Sequence, residues 1–345
     1  MNTIAHIDTS TADNAFSPQQ EKFQLIPHSA DNCLLIQKGT RQWQIDFSQH
    51  TLEDNTWLLT GLYGSIENTL LAGQLMDQLF AYTKAQRLII SEAILAGNPV
   101  LRMPHWRPCE QGVSIERVAF YQIREHWLSP ELLSVAPDAR VKREGVAETV
   151  PVRPQIPDTV LYQRQIPGLN EVFSLRRATI EEDGERFHRW QNEPRVAKFW
   201  EYPFSRQELD DMLRDRRADP HCEPLIGCFD GQPFAYFESY WGLEDRLGPY
   251  YDARPFDHGY HVLVGEPKYL GGGRTLHWIN ALSHYLFLLD PRTERLVGEP
   301  RADNSKLLKW VEHTAWYKER EFDFPHKRAA LLKCEREEYF STTVL

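Results

Sequence analysis

The chain predicts a mixed α/β (α+β) fold in two parts, and three features carry that expectation. The first is Val262-Leu-Val-Gly-Glu-Pro-Lys-Tyr-Leu-Gly-Gly-Gly-Arg274, an apolar strand-like run, a basic glycine-rich turn and then an amphipathic helix. The second is a pair of helix starts, Thr179-Ile-Glu-Glu182 and Ser205-Arg-Gln-Glu208, each with a hydroxyl side chain three residues ahead of a glutamate. The third is Asp230-Gly231 between two apolar runs, the dipeptide that suits a tight hairpin turn.

Residues 1–20 are polar and poor in bulky apolar side chains, which predicts a disordered lead-in. Over 21–138, Cys33-Leu-Leu-Ile-Gln, Trp43-Gln-Ile-Asp-Phe and Arg87-Leu-Ile-Ile-Ser read as strands. Between them, Leu70, Leu71, Leu75, Leu79 and Phe80 recur at helical spacing within 66–85. This α+β domain shows no catalytic constellation. Pro151, Pro154, Pro157 and Pro167 punctuate 139–169, and proline at that density reads as an interdomain linker. From 170 onward Phe173-Ser-Leu-Arg-Arg is a strand, and the two capped helices run through Trp190 and to about Arg217. Leu225-Ile-Gly-Cys-Phe and Phe234-Ala-Tyr-Phe-Glu flank the hairpin turn. The strand Gly259–Val264 leads into the glycine turn, and Leu276, Ile279, Leu282 and Leu286 mark the helix beyond it. Arg295-Leu-Val-Gly is a strand. Asp303 or Asn304 caps a helix carrying Leu307, Leu308 and Val311, and Phe322-Asp-Phe-Pro and Ala329-Ala-Leu-Leu-Lys close the chain as strands. The order over 170–345 is β-α-α-β-β-β-α-β-α-β-β. No internal repeat is visible between the halves.

A formal charge of −10 argues against a nucleic-acid partner, so an anionic ligand needs a local basic cluster. The five cysteines (Cys33, Cys109, Cys222, Cys228, Cys334) are scattered and in no metal spacing, which fits reduced thiols and no metal site. No apolar run reaches membrane length, and the first residues lack the pattern of a secretory signal. The expectation is a cytoplasmic protein without a membrane partner.

Bare N–H groups at the start of a helix attract phosphate, and Lys268-x-x-Gly271-x-Gly273 has the spacing of the turn that holds the pyrophosphate of coenzyme A. With the element order, this resembles the GNAT N-acetyltransferase fold. Glu193-Pro-Arg-Val, Pro224-Leu-Ile-Gly-Cys-Phe-Asp, Phe237-Glu-x-Tyr-Trp, Glu244-Asp-Arg, His261-x-Leu-Val-Gly-Glu, Glu299-Pro-Arg-x-Asp-Asn304 and Glu321-Phe-Asp-Phe-Pro-His-Lys-Arg328 are similar to motifs of the siderophore-biosynthesis acyltransferases of the aerobactin type. The resemblance covers about 170–345. It implies a degenerate, non-catalytic copy of the same fold in the N-terminal half.

The implied reaction is attack of an N-hydroxylated amine (N6-hydroxylysine, N-hydroxyputrescine or N-hydroxycadaverine) on an acyl-CoA, giving a hydroxamate for a siderophore. Acetyl-CoA is the expected donor, with succinyl-CoA as an alternative that needs a further cation. A hydroxylamine is less basic than an alkylamine, so the site needs positioning, a proton acceptor and oxyanion donors more than it needs to shift a pKa. His261 is the first candidate base and Asp303 the second; Glu299 is a spare with a structural role the stronger expectation. Against these stand a satisfied core histidine and an ordinary helix cap. Cofactor contacts are expected from the backbone of Val262, Leu263 and Val264 if that strand splays from its neighbour. Further contacts are expected from Gly271, Gly272 and Gly273, from the charges of Lys268 and Arg274, and from Asn304 on the pantetheine arm. His326-Lys327-Arg328 adds a basic cluster for a phosphate or a carboxylate. The acceptor pocket is expected from Trp200, Phe237, Tyr240 and Trp241. Glu244 or Asp245 suits a distant ammonium, and Arg246 or Arg254 an α-carboxylate. Two rivals remain: an acetyltransferase for ordinary amines, and a non-catalytic CoA-binding scaffold that docks other siderophore enzymes.

Overall fold

In the computed structural model, which describes residues 21–26, 32–51, 53–143, 146, 149–271, 273–343 and 345, two sheets share one strand order. The lead-in 1–20 and Gly272 lie outside the described residues. The first sheet contains β1 (Phe23–Ile26), β2 (Cys33–Lys38), β3 (Arg41–Gln49), β4 (Thr56–Tyr63), β5 (Arg87–Ser91), β6 (Arg107–Cys109) and β7 (Gly112–Glu116), in the order β1-β2-β3-β4-β5-β7-β6. Helix α1 (Thr69–Thr83) makes the crossover between β4 and β5, which pair in parallel; α2 (Glu92–Gly97) and α3 (Arg117–Phe120) are short.

A two-stranded hairpin, β8 (Arg140–Lys142) and β9 (Thr149–Pro151), precedes the second sheet. That sheet contains β10 (Val160–Ile166), β11 (Glu171–Arg177), β12 (Cys222–Phe229), β13 (Gln232–Trp241), β14 (His258–Val264), β15 (Arg295–Gly298), β16 (Tyr317–Asp323) and β17 (Arg328–Glu335). Its order is β10-β11-β12-β13-β14-β15-β17-β16. Helices α4 (Ile180–Gln191), α5 (Pro194–Trp200) and α6 (Arg206–Ala218) lie between β11 and β12. Helix α7 (Arg274–Leu289) crosses between the parallel strands β14 and β15, α8 (Ser305–Val311) follows β15, and α9 (Arg336–Thr342) comes last.

From β11 onward the second sheet repeats the order of the first, with its parallel pair in the same place. The N-terminal half therefore repeats the strand order of the same fold over a shorter stretch of chain, in line with the copy the resemblance implies. The copies differ where a ligand would enter. Strands β4 and β5 stay paired over Thr56–Leu59, whereas β14 and β15 pair only at His258 and Gly259 and then part. The side chain of Asn68 also closes the start of α1 by accepting from Leu71 N at 2.9 Å.

Four local expectations need correction, the simplest being that helix α9 follows the two strands expected to close the chain. The range 139–169, read as a linker, holds β8, β9 and β10, because Pro157 and Pro167 flank the strand Val160–Ile166 instead of interrupting it. Helix α5, with Pro194 in its first turn, was not foreseen between the two capped helices. Ser205 and Glu208 form the reciprocal capping box. At α4, Thr179 accepts from Glu182 N, but Asp183, not Glu182, returns the bond to Thr179 N at 3.0 Å.

The halves meet over α7. Its residues from Ala281 to Leu289 are all buried, so it needs cover on every side, and the N-terminal half supplies part of it. Arg124 donates to Leu288 O at 2.8 Å and Leu289 O at 3.2 Å, satisfying carbonyls that the helix end leaves open. Arg164 of β10 pairs with Asp77 of α1 at 3.0 Å, and Tyr121 donates to the same carboxylate at 2.8 Å. The Gln165 amide accepts from Phe23 N and donates to Phe23 O, at 2.7 and 2.6 Å, so it continues the β1 edge as a backbone would.

Candidate active site

Strand alternation builds the centre of the site. His261 on β14 lies opposite Glu238 on β13, and residues two apart on β13 share its face, so Tyr236, Glu238 and Tyr240 converge there. Glu299, one residue beyond β15, reaches the same point because β14 and β15 have parted. His261 Nδ1 stands 3.2 Å from Glu238 Oε2, and Nε2 stands 2.9 Å from Glu299 Oε1. Tyr240 OH donates to Glu299 Oε2 at 2.7 Å. On the far carboxylate, Tyr236 OH and Arg216 Nε donate to Glu238 Oε1 at 3.1 and 3.2 Å. Lys327 Nζ donates to Glu299 O at 2.7 Å and lies 3.6 Å from Oε1, while Arg246 lies 3.5 Å from that oxygen.

Both carboxylates are buried, and burial alone would raise their pKa. The bonds and charges of His261 and Arg216 outweigh it and hold Glu238 down to about 2. His261, Lys327 and Tyr240 likewise hold Glu299 well below the usual carboxylate range. For His261, burial disfavours the cation, but the charge of Glu299 and the bonds to both carboxylates win and raise it to about 9. The resting site therefore holds an imidazolium between two carboxylates.

This triad forms one wall of a cavity of ≈ 620 Å³ that Trp200, Arg246, Val262, Asn304 and Trp316 also line. The parting of β14 and β15 gives the cavity an edge of unpaired backbone. Gly265 N donates to Phe234 O at 2.8 Å, so by alternation Leu263 also turns its N–H into the β13 ladder, while Val262 and Val264 face the gap. Trp200 Nε1 donating to Val262 O at 3.1 Å agrees with that assignment. Of the three backbone contacts expected here, Leu263 is thus excluded.

The glycine turn opens α7 without a side-chain cap. Gly271 and Gly273 take φ of +75° and +81°, and no atom lies within 4 Å of where a Cβ would stand on either. The first N–H groups of this 16-residue helix have no capping side chain, which is the arrangement that holds phosphate. Lys268 is exposed above the Tyr269 ring. Arg274 is already committed to Glu171 at 2.9 and 3.0 Å, so it is a strut of the turn before it is a phosphate ligand. The turn starts at Gly265, whose Cα lies against the Trp190 indole so closely that a Cβ would sit 2.0 Å from the ring.

Several expected pocket residues fall elsewhere for one reason, the two-residue period of β13. Phe237 and Trp241 point away from Tyr240: Phe237 packs on Trp278, and Trp241 stacks on His258 at 4.1 Å. Arg254 is half exposed and 3.8 Å from Glu294, outside the cavity. Glu238, absent from the sequence-based candidates, is brought to the site by its register with His261 across the β13–β14 ladder, which the long connection 242–257 leaves open at the sequence level.

Asp303 lies outside the cavity lining, with 70% of its side chain exposed, and pairs with Arg301 at 3.1 Å. Asn304 takes the cap of α8, accepting from Leu307 N at 3.3 Å, and also lines the cavity. Asp303→Ala is accordingly expected to change kcat less than about twofold under saturating substrates, a surface substitution in effect. A loss of tenfold or more in steady-state turnover would return Asp303 to the reaction.

A GNAT acetyltransferase domain matches residues 179–324. A putative lysine N-acyltransferase of Schizosaccharomyces pombe is 34% identical over 336 residues, 94% of either chain. The chain belongs to the GNAT acyltransferase family. An N(6)-hydroxylysine O-acetyltransferase of Escherichia coli is 39% identical over 232 residues, 66% of this chain and 71% of the relative. A hydroxyornithine transacylase of Ajellomyces capsulatus is 34% identical over 296 residues, 78% of this chain and 66% of the relative. In this GNAT protein the match with the S. pombe relative spans both sheets, so that relative shares the N-terminal copy and not the catalytic half alone. Among the described residues no helix is long and apolar enough to cross a membrane, and no group of His, Cys, Asp and Glu has metal-site geometry.

Proposed function

We propose that the protein transfers an acyl group, acetyl in the first instance, from coenzyme A to the nitrogen of an N-hydroxylated amine, forming a hydroxamate for siderophore biosynthesis. The observation that carries this reading is the Glu238–His261–Glu299 triad set beside a splayed strand and an uncapped glycine turn. The turn and the start of α7 fit the pyrophosphate, the gap at Val262 and Val264 fits the thioester, and Asn304 on the cavity lining fits the pantetheine arm.

Because His261 is already protonated, Glu299 is the proton acceptor and His261 is a positioning residue. A neutral hydroxylamine attacks without prior deprotonation, and the N–H⁺ formed on attack is acidic enough for a carboxylate to take. Tyr240 and His261 fix the orientation of that carboxylate. The N–H groups of Val262 and Val264 face the developing oxyanion, and the positive charges of His261, Lys327 and Arg246 favour it. The proton leaves with the CoA thiol. Direct transfer fits Cys222, the cysteine on the cavity wall: burial and Glu238 push its thiol well up, so it stays protonated and unreactive.

The pH dependence separates the two roles for His261. The imidazolium persists until pH rises through about 9, so kcat/KM is expected to fall along that limb. A His261 acting as base would give a profile that climbs toward pH 9 instead. The sign for stability is the same: the ion-paired imidazolium contributes fully below its unfolded value of about 6.5 and loses that contribution through about 9.

The reading is tested with acetyl-CoA and succinyl-CoA against N6-hydroxylysine, N-hydroxycadaverine, N-hydroxyputrescine and their unhydroxylated parents. Thiol release and ferric-hydroxamate colour are read together. Both signals confined to the hydroxylated acceptors are expected. Thiol release without colour would mean transfer to oxygen, and turnover of the plain amines would mean general amine acetylation.

A further inference from the structure

Two arginines from the range 139–169 reach the wall of the cavity. Arg143 follows β8, Arg153 follows β9, and they pair with Glu244 at 2.5 and 2.6 Å. Glu244 belongs to the connection 242–257 between β13 and β14, and its side chain is as buried as that of Arg153. It is spent on the two guanidinium groups and not open to a substrate ammonium. Arg153 holds both ends of the connection. At the near end its guanidinium lies 4.0 Å from the Trp241 ring, and Trp241 stacks on His258, one of the two residues through which β14 pairs with β15. At the far end it donates to Pro255 O at 2.8 Å and lies 5.9 Å from the Phe256 ring. Arg295 of β15 braces the same connection from below, through Asp252 O at 2.7 Å and the Asp257 carboxylate.

Between those ends stands Arg246, which lines the cavity. Its side chain is half exposed and 3.5 Å from Glu299 Oε1, the oxygen that also lies 2.9 Å from His261 Nε2. A contact so long and so exposed does not fix an arginine by itself. The place of Arg246 is set by the backbone two residues earlier, where Glu244 N and Asp245 N donate to Trp241 O at 3.0 and 3.1 Å. A carboxylate buried as deeply as Glu244 stays inside only while its cations do, so that backbone depends on Arg153. Arg153 itself is not part of the cavity lining.

We infer that Arg153 is a positioning residue for the reaction: it fixes the connection 242–257 and through it the place of Arg246 in the cavity. Its effect on turnover rests on the hydroxamate-forming reading of that cavity. The test compares wild type, Arg153→Met, Arg246→Met and the double variant on N-hydroxycadaverine, with acyl-CoA affinity as the folding control. Each single variant is expected to lower kcat/KM by about tenfold and the double variant by about tenfold as well, whereas independent effects would multiply to about a hundredfold. Both single variants should also move the alkaline limb above about 9, because a cation has left the oxygen that serves His261. Should Arg153→Met fail to fold, Arg153→Lys replaces it in the same cycle, since it keeps a charge beside Glu244 and loses the bond to Pro255 O and the stack on Trp241. Turnover within about twofold of wild type, or losses that multiply in the double variant, overturns the inference. Turnover of unhydroxylated cadaverine alone sinks the hydroxamate reading, and the cycle run on that amine still decides the role of Arg153. Coupled losses with the limb unmoved count against Glu299 as proton acceptor and leave the positioning role standing.

Discussion

Glu299→Gln is expected to lower kcat by about 10²- to 10⁴-fold, the range for losing a positioned proton acceptor. The amide keeps the size of the side chain and still accepts from Tyr240, so the packing of the cavity is preserved. What disappears is the charge. His261 then keeps one carboxylate partner, Glu238, and the alkaline limb of the pH profile should move down from about 9. The affinity for acyl-CoA should be little altered, because the turn and α7 are built from other residues. Single-turnover rates with N-hydroxycadaverine and N6-hydroxylysine, measured from pH 6 to 10, read both effects. A kcat within threefold of wild type, with the limb unmoved, would leave Glu299 a structural residue.

Arg164→Ala is expected to cost about 3–5 kcal/mol of stability, because it leaves the carboxylate of Asp77 buried without its charge partner. Both side chains are almost fully buried, at 2% and 4% exposure, and the pair bridges β10 of the catalytic sheet to α1 of the N-terminal copy. Arg164 also lies over Tyr121 and Trp127, so its loss removes packing as well as charge. Replacing both partners, as in Arg164→Met with Asp77→Leu, should cost much less than the single change, since no buried charge is stranded. Urea unfolding followed by tryptophan emission, with the double variant completing the cycle, measures the coupling. Additive losses in the two single variants would show that the pair does not join the halves.

Much of the catalytic half was legible because its signals are local. The Asp230-Gly231 turn, the Ser205–Glu208 capping box and the Gly271–Gly273 turn each depend on neighbours a few residues away, and each formed where expected. The misassignments have a shared origin in contacts made far along the chain. Phe237 and Trp241 were grouped with Tyr240 because all three are aromatic, yet the pleat allows only one parity to face His261. Asp303 is a candidate in the sequence because Asn304 can take the cap of the helix beyond it; Asn304 does so, yet the freed Asp303 side chain is 70% exposed and pairs with Arg301 instead of entering the cavity. The strand β10 is masked in the sequence by the prolines that bound it; it is held by its ladder with β11 and by Tyr162 packing on His284 and Tyr285 of α7.

By itself the sequence determined the succession of strands in the second half, the helix starts other than those of α5 and α9, the tight turns and the motif set of an acyltransferase, chiefly properties that short-range sterics and hydrogen bonding enforce. Only the tertiary structure decided the repeat of one sheet order in both halves, because strand order reflects burial between distant segments and not local propensity. The same holds for the charge state of the site. His261 as a residue is neutral near pH 7, and it becomes an imidazolium only where Glu238 and Glu299, from two other strands, are brought within 3.2 and 2.9 Å of its ring.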